Sequence, residues 1–218
     1  MDMRQQILVE TEKLFATRGY NGTSIQGIAD AVGIKKASLL YHFSSKAELR
    51  RQVLHRMLGH WQEALPQLLL AATSGLSRFD AFTRELVQFF TENPDRARLL
   101  MREALDRPDE LRAAILAHVT PWVVAICDNI RTGQKQGILH ADVDPEAYVT
   151  HVVALVIASV ATFDTVGAVM GAPDSNPEPN TGQSARERHL VELLRIARAS
   201  LFVSPGQEER RAKHVRRQ

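Results

Sequence analysis

The sequence predicts an all-α protein, with a three-helix head at 1–46, a larger helical body at 47–203 and a basic, flexible tail at 204–218. Three observations carry that prediction. Apolar residues recur at the helical period along almost the whole chain. No alternating Val/Thr run bracketed by turn residues marks a strand. Near the N-terminus, two short apolar-faced segments flank a glycine, the pattern of two helices crossing at a tight turn.

The first helix is read from Ile7, Leu8, Thr11, Leu14 and Phe15, which form a single stripe, and Arg18-Gly19 supplies its stop. Thr23 or Ser24 can cap a second short helix with Ile25, Ile28 and Ala29 inward. A third runs over about 36–43. Leu49, Val53, Leu54, Met57, Leu58 and Trp61 mark a longer fourth helix reaching the Leu-rich run before Ala71. After Thr73-Ser74-Gly75, helices are expected at about 78–92 and 95–106. Another is expected at 109–135, with Pro121 kinking or interrupting it. Asp144-Pro145-Glu146 opens a helix to about Met170. A Pro-rich loop at 173–182 and a last helix at 184–202 complete the chain.

Length and charge narrow the function. The 218 residues suffice to bury a substantial core. Residues 1–60 carry 9 Lys/Arg against 5 Asp/Glu, whereas 61–203 carry 13 against 18. A basic head on an acidic body points to a polyanionic partner for the head. The single cysteine, Cys127, excludes an intrachain disulfide framework and a CxxC zinc site. The charged amphipathic start is no secretory signal, and the apolar stretch Val152–Phe163 is too short to span a bilayer. A cytoplasmic protein without membrane attachment is expected. No GxSxG, GxxxxGK, GxGxxG or HExxH pattern occurs, so no catalytic residue, metal or cofactor is assigned.

The informative segment is TSIQGIADAVGIKKASLLYHFSSKAEL, residues 23–49. Ala29 suits a close helix crossing, Gly33 a turn needing positive φ, and Ile28, Ile34, Leu39 and Phe43 the apolar contact between the helices. The next helix then presents short, polar and cationic groups, as a helix entering a DNA major groove requires. Candidate DNA contacts are Thr23, Ser24, Lys35, Lys36, Ala37, Ser38, Tyr41 and His42. Lys46, at the start of the following helix, is placed within reach of a phosphate.

Gly19-Tyr20, Thr23, Ile28-Ala29, Gly33-Ile34, the run Leu39 to Phe43, Lys46 and Leu49 follow in the order and spacing of a known pattern. The segment resembles the DNA-binding domain of TetR-family (tetracycline-repressor-type) transcriptional regulators. Two positions depart from it. Leu40 stands where a phosphate-binding tyrosine is usual, leaving Tyr41 to supply the hydroxyl, and Gly27 stands where an acid often completes a capping box. The resemblance implies a homodimer on a near-palindromic double-stranded operator. It further implies a small-molecule effector that displaces the fourth helix and releases the DNA; the composition of the candidate pocket points to a mostly apolar molecule, aromatic or cationic.

For the effector pocket, the bulky residues Trp61, Phe89, Phe90, Met101, His118, Trp122, Ile126 and Phe163 are the candidates. Asp164, interrupting an apolar helix, is a candidate to bind a cation or hydroxyl on the ligand. Small residues at Ala158, Ala161 and Thr165, with the stripe Leu190, Leu194 and Leu201, are the candidate dimer seam. Two further classes fit an all-helical chain: a protein-interaction module, and a small-molecule-binding protein whose DNA-binding head is vestigial.

Overall fold

A computed structural model describes residues 2–71, 75–169 and 185–203. The loop expected at 173–182 and the basic tail lie outside them. Ten helices are described: α1 (Met3–Arg18), α2 (Ile25–Val32), α3 (Lys36–His42), α4 (Lys46–Ala71) and α5 (Gly75–Glu92), then α6 (Pro94–Asp106), α7 (Pro108–His118), α8 (Thr120–Lys135), α9 (Pro145–Val169) and α10 (Ala185–Leu201). Among the described residues the only extended pairing is an isolated bridge between Leu139 and Phe202.

Local chemistry sets several helix ends. The Asn93 side chain accepts from the Asp95 amide ahead of Pro94, and Asp144 caps α9 by accepting from the Ala147 amide at 2.8 Å. The stretch expected at 109–135 is interrupted near Pro121 and forms two helices. Pro121 falls in the first turn of α8, where its missing N–H costs nothing, and α7 and α8 meet at an angle of 70°. Of the two expected outcomes at Pro121, a kink or an interruption, the structure shows the interruption, an elbow between two helices.

α4 runs from the head deep into the body, with Pro66 in its interior. One core cluster joins Ile7, Phe15, Ile28, Leu39 and Phe43 to Leu49, Trp61, Phe90, Leu99, Val156 and Ala197, so the head at 1–46 shares its interior with the body. A smaller cluster gathers Cys127, Ile130, Leu139, Val149 and Leu201. Fully burying one such Leu or Phe contributes about 1.5–3 kcal/mol.

Polar contacts fasten the head onto the body. Glu12, itself buried, accepts from Arg56 of α4 and from Asn93 at 2.6 Å. Arg102 of α6 donates to the carbonyls of Ala16 and Thr17, which α1 leaves without helical partners. Buried Arg50 pairs with Glu103 at 2.8 Å and with Glu110.

α9 is longer and more apolar than the window Val152–Phe163 suggests. Its Pro145–Val166 stretch is long and apolar enough to cross a membrane by length and composition. Here it packs against α5, α6, α8 and α10, yet it leaves Leu155 and Val166 half exposed. The chain's described end is stitched back onto the turn after α8. The His140 amide donates to the Leu201 carbonyl at 3.0 Å, and the Val203 amide donates to the Ile138 carbonyl at 3.2 Å.

Candidate nucleic-acid interface and ligand cavity

The two head helices are set by a cap and a turn. Ser24 accepts from the Gly27 amide at 2.9 Å, so Ser24 caps α2 with no reciprocal acid. Gly33 ends α2 at φ 78° and ψ 30°, left-handed geometry that a side chain disfavours. α3 then buries only Leu39. Lys35, Lys36, Ala37, Ser38 and Tyr41 are exposed, Tyr41 at 87%, and His42 is half-buried with its ring edge-on to Tyr41. These side chains form one outward face of amino, hydroxyl and methyl groups.

Two expected DNA contacts are turned inward instead. Thr23 is buried, and its hydroxyl donates to the carbonyls of Gly19 and Leu14 at 2.8 and 3.2 Å. It closes the C-terminus of α1, where carbonyls need partners. The Lys46 ammonium donates to the carbonyls of Tyr20 and Thr23, both at 2.9 Å, and lies 4.2 Å from the centre of the Tyr20 ring. It clamps the start of α4 onto the α1–α2 turn rather than standing open to a phosphate. The same ring faces the guanidiniums of Arg107 at 4.1 Å and Arg50 at 5.5 Å. Sequence reasoning missed this role of Tyr20, and the Gly-aromatic pair was the available signal.

The body holds an apolar cavity of about 350 Å³ between the end of α4, α5, α8, α9 and the C-terminal stitch. Leu65, Phe79, Phe82, Ile130, Val152 and Phe202 supply apolar wall, and Arg78, Asn129, Thr132, Gln136 and Tyr148 supply polar groups. The Arg78 guanidinium donates to Asn129 Oδ1 at 2.6 Å, and the Tyr148 hydroxyl donates to the Ala197 carbonyl at 2.7 Å. Burial pushes the Tyr148 phenol up from its ordinary value, so it stays neutral.

Of the expected pocket residues only Ile126 lines this cavity. Trp61, Phe89 and Phe90 are core, with the Phe89 ring 5.0 Å from the ring centres of both Trp61 and Phe90. Trp122 packs against the same cluster, and Met101 is half-buried on α6. His118 sits at the α4–α7 contact, where its ring nitrogens meet His55 at 3.1 Å and Gln62 at 3.0 Å. Burial, and then the His55 charge, hold its pKa below the ordinary value. Phe163 faces His189 between α9 and α10. Asp164 is largely exposed and is paired with Arg98 at 2.6 Å and Arg186 at 2.9 Å. Bulk and helical spacing were therefore satisfied by ordinary core packing. The cavity residues that sequence reasoning missed, apolar and polar alike, lie on inward faces visible only once the helices are assembled.

The seam residues divide similarly. Leu190 and Leu201 are buried within the chain, because that stripe of α10 faces its own core. Ala158, Ala161 and Leu194 are half-buried, and Thr165 is exposed. The outward apolar residues are instead Leu155 and Val166 on α9, with Val191 and Ile196 on α10, each 50–55% exposed.

An all-α chain with a glycine-turned helix pair leading a cavity-bearing helical body has the architecture of a two-part helix-turn-helix regulator. Family comparison agrees. Residues 7–53 match the model of bacterial regulatory proteins of the tetR family, and residues 77–194 match a tetracyclin repressor-like C-terminal domain. The chain belongs to the tetR family. It is 27% identical over 129 residues to the HTH-type transcriptional activator FasR of Mycolicibacterium smegmatis, covering 59% of each protein. It is also 27% identical over 117 residues to the negative transcriptional regulator IcaR of the icaADBC biofilm operon in Staphylococcus epidermidis, covering 54% of this chain and 61% of that one. These matches span about three fifths of each relative's length. Among solved structures, the ketosteroid transcriptional regulator KstR2 of Mycobacterium tuberculosis shares the fold, with a TM-score of 0.70 at 19% identity over 93% of this chain and 96% of that one.

Proposed function

We propose that this protein is a DNA-binding transcriptional repressor that leaves its operator when a small, mostly apolar molecule fills the body cavity. The observation that carries the DNA half is the outward face of α3, where Lys35, Lys36, Ala37, Ser38, Tyr41 and His42 stand together, with Ser24 exposed at the start of α2. Lysine and hydroxyl groups suit phosphate oxygens and base edges, and Ala37 permits close approach to a thymine methyl. A second copy pairs through the outward residues of α9 and α10, bringing two heads to half-sites one turn apart, about 34–36 Å. Relatives include an activator and a negative regulator; occlusion of a promoter by the paired heads is the simpler use of this geometry.

The effector half rests on the cavity and on α4, which carries Leu65 and Leu68 into the cavity wall and begins at the head with Lys46. A molecule that fits only when α4 has moved stabilises the mis-spaced heads by its differential affinity. The test is a binding titration on specific and random duplexes across salt concentrations. The expected result is a steep fall of affinity with salt, and a Lys36→Ala variant that loses about 1–3 kcal/mol of preference at one or two base pairs. Salt-independent binding, or equal losses on specific and random DNA, defeats the assignment of this face.

A further inference from the structure

We propose that Phe202 is the door of the body cavity: its ring swings off Phe79 to admit an apolar effector and closes behind it. The proposal rests on the reading of this cavity as the effector site and names the point of entry. The burial of the lining residues places the mouth. Leu65, Thr83, Ile130, Val149 and Val152 are buried and form the closed end. Gly75 at the start of α5, Thr132 and Gln136 around the end of α8, and Ile138 in the turn beyond are exposed, yet they line the same space. Residues that meet both cavity and solvent stand at a rim. The mouth therefore lies between the start of α5 and the end of α8.

Two rings meet at that rim. Phe79 follows Gly75 by one turn of α5, and Phe202 is bridged to Leu139, the neighbour of Ile138. Their centroids are 5.5 Å apart with planes at 77°, and both rings line the cavity. The two sides of the pair are held differently. Phe79 sits within a helix and packs against both core clusters. The turn after α8 is pinned as well, since the Gln134 amide donates to the carbonyls of His140 at 2.9 Å and Val143 at 2.7 Å. α10 is anchored as far as buried Leu201, whose carbonyl accepts from the His140 amide at 3.0 Å. Beyond Leu201 the helix has ended, and Phe202 and Val203 are half-buried. Rotation at Phe202 undoes the ring contact and the 3.2 Å bond from the Val203 amide to the Ile138 carbonyl. Water at the rim takes over the freed amide and carbonyl, and the closed end of the cavity is left as it was. An opening confined to so few contacts belongs to the low-energy end of local unfolding.

A door changes how fast a ligand enters and leaves without changing how tightly it sits, because the closed, loaded state is the same. The test follows a neutral fluorescent probe, phenylnaphthylamine, by stopped flow on the full-length protein. Ile138→Cys with Val203→Cys gives a lock that spares both rings. Antiparallel pairing of Leu139 with Phe202 sets these two positions opposite one another, at a spacing of about 5.5 Å that suits a disulfide. The native Cys127 is buried. Oxidation of the double variant is expected to slow entry and exit alike, by about tenfold or more against the same protein reduced, with Kd within about twofold. Phe202→Ala is expected to raise both rates about fivefold, and it carries the test if the disulfide does not form. Ile126→Trp fills the cavity and is expected to abolish binding. Equal rates in the oxidised and reduced forms, or unchanged rates in Phe202→Ala, overturn the door while exclusion by Ile126→Trp keeps the cavity as the ligand site. A probe that still binds Ile126→Trp is not in this cavity, and the effector reading then falls together with the door.

Discussion

Replacing Lys46 with methionine keeps the aliphatic stem and removes the ammonium that bridges the Tyr20 and Thr23 carbonyls. Each of those bonds is 2.9 Å long and involves a charged donor, a class worth about 1.5–3 kcal/mol when formed away from water. Lys46 is only half-buried, so water re-solvates the carbonyls in the variant and screens much of that energy. The contact with the Tyr20 ring adds about 0.5–1 kcal/mol. The net expectation is a destabilisation of about 1.5–3 kcal/mol, or a fall in Tm of about 3–12 °C for a chain of this size. A phosphate-binding lysine behaves differently, since its loss lowers the salt slope of DNA binding by about 0.9 per contact while leaving stability nearly untouched. Thermal unfolding of the free protein and operator titrations at several salt concentrations separate the two. A variant with unchanged Tm and a reduced salt slope would refute the clamp and return Lys46 to the DNA.

Three further outcomes are expected. Gly33→Ala places a side chain at φ 78° with nothing within 4 Å of its Cβ, so the cost is backbone strain alone, about 1–2 kcal/mol by thermal or denaturant unfolding. His118 has a folded pKa below the ordinary 6.5, so the unfolded chain takes up the proton first as pH falls. Stability is then expected to drop as pH falls below about 6.5 and to level off under the folded value, and His118→Gln should flatten that part of the stability–pH curve. Leu155→Arg with Val166→Arg, both on the outward face of α9, is expected to give monomers in sedimentation and to abolish operator binding; a dimeric variant rejects that face.

How much of this was legible in the sequence depended on how local the cause was. The head was almost fully readable, because Ser24, Gly33 and the stripe of Ile28, Leu39 and Phe43 act over a few residues. Pro121 announced a discontinuity, but the choice between kink and elbow depended on how α7 and α8 pack. The cavity was the least readable part. Aromatic bulk at Trp61, Phe89 and Phe90 is compatible with core and with pocket alike, and only assembly of five chain segments shows which side chains face empty space. Lys46 and Thr23 misled for a related reason. A cation or a hydroxyl near a recognition helix serves either a phosphate or an orphan carbonyl, and residue type does not distinguish them. For α10, periodicity found the apolar face correctly but not the body it packs against, which is its own core.

The stitch between the end of α10 and the turn after α8 also bears on how this protein must be measured. Leu201 and Phe202 line the cavity, while Val191 and Ile196, earlier on α10, are about half exposed on the face proposed above for a second copy. On the function proposed above, loading the cavity and mating that outer face are two loads on one rod. Whatever free energy passes along it works in both directions, so dilution that separates copies alters occupancy by the factor through which occupancy alters pairing. An effector affinity taken at nanomolar protein and one taken at micromolar protein then describe different species. The two values can be reconciled only by a global fit in which association and loading share a single set of constants.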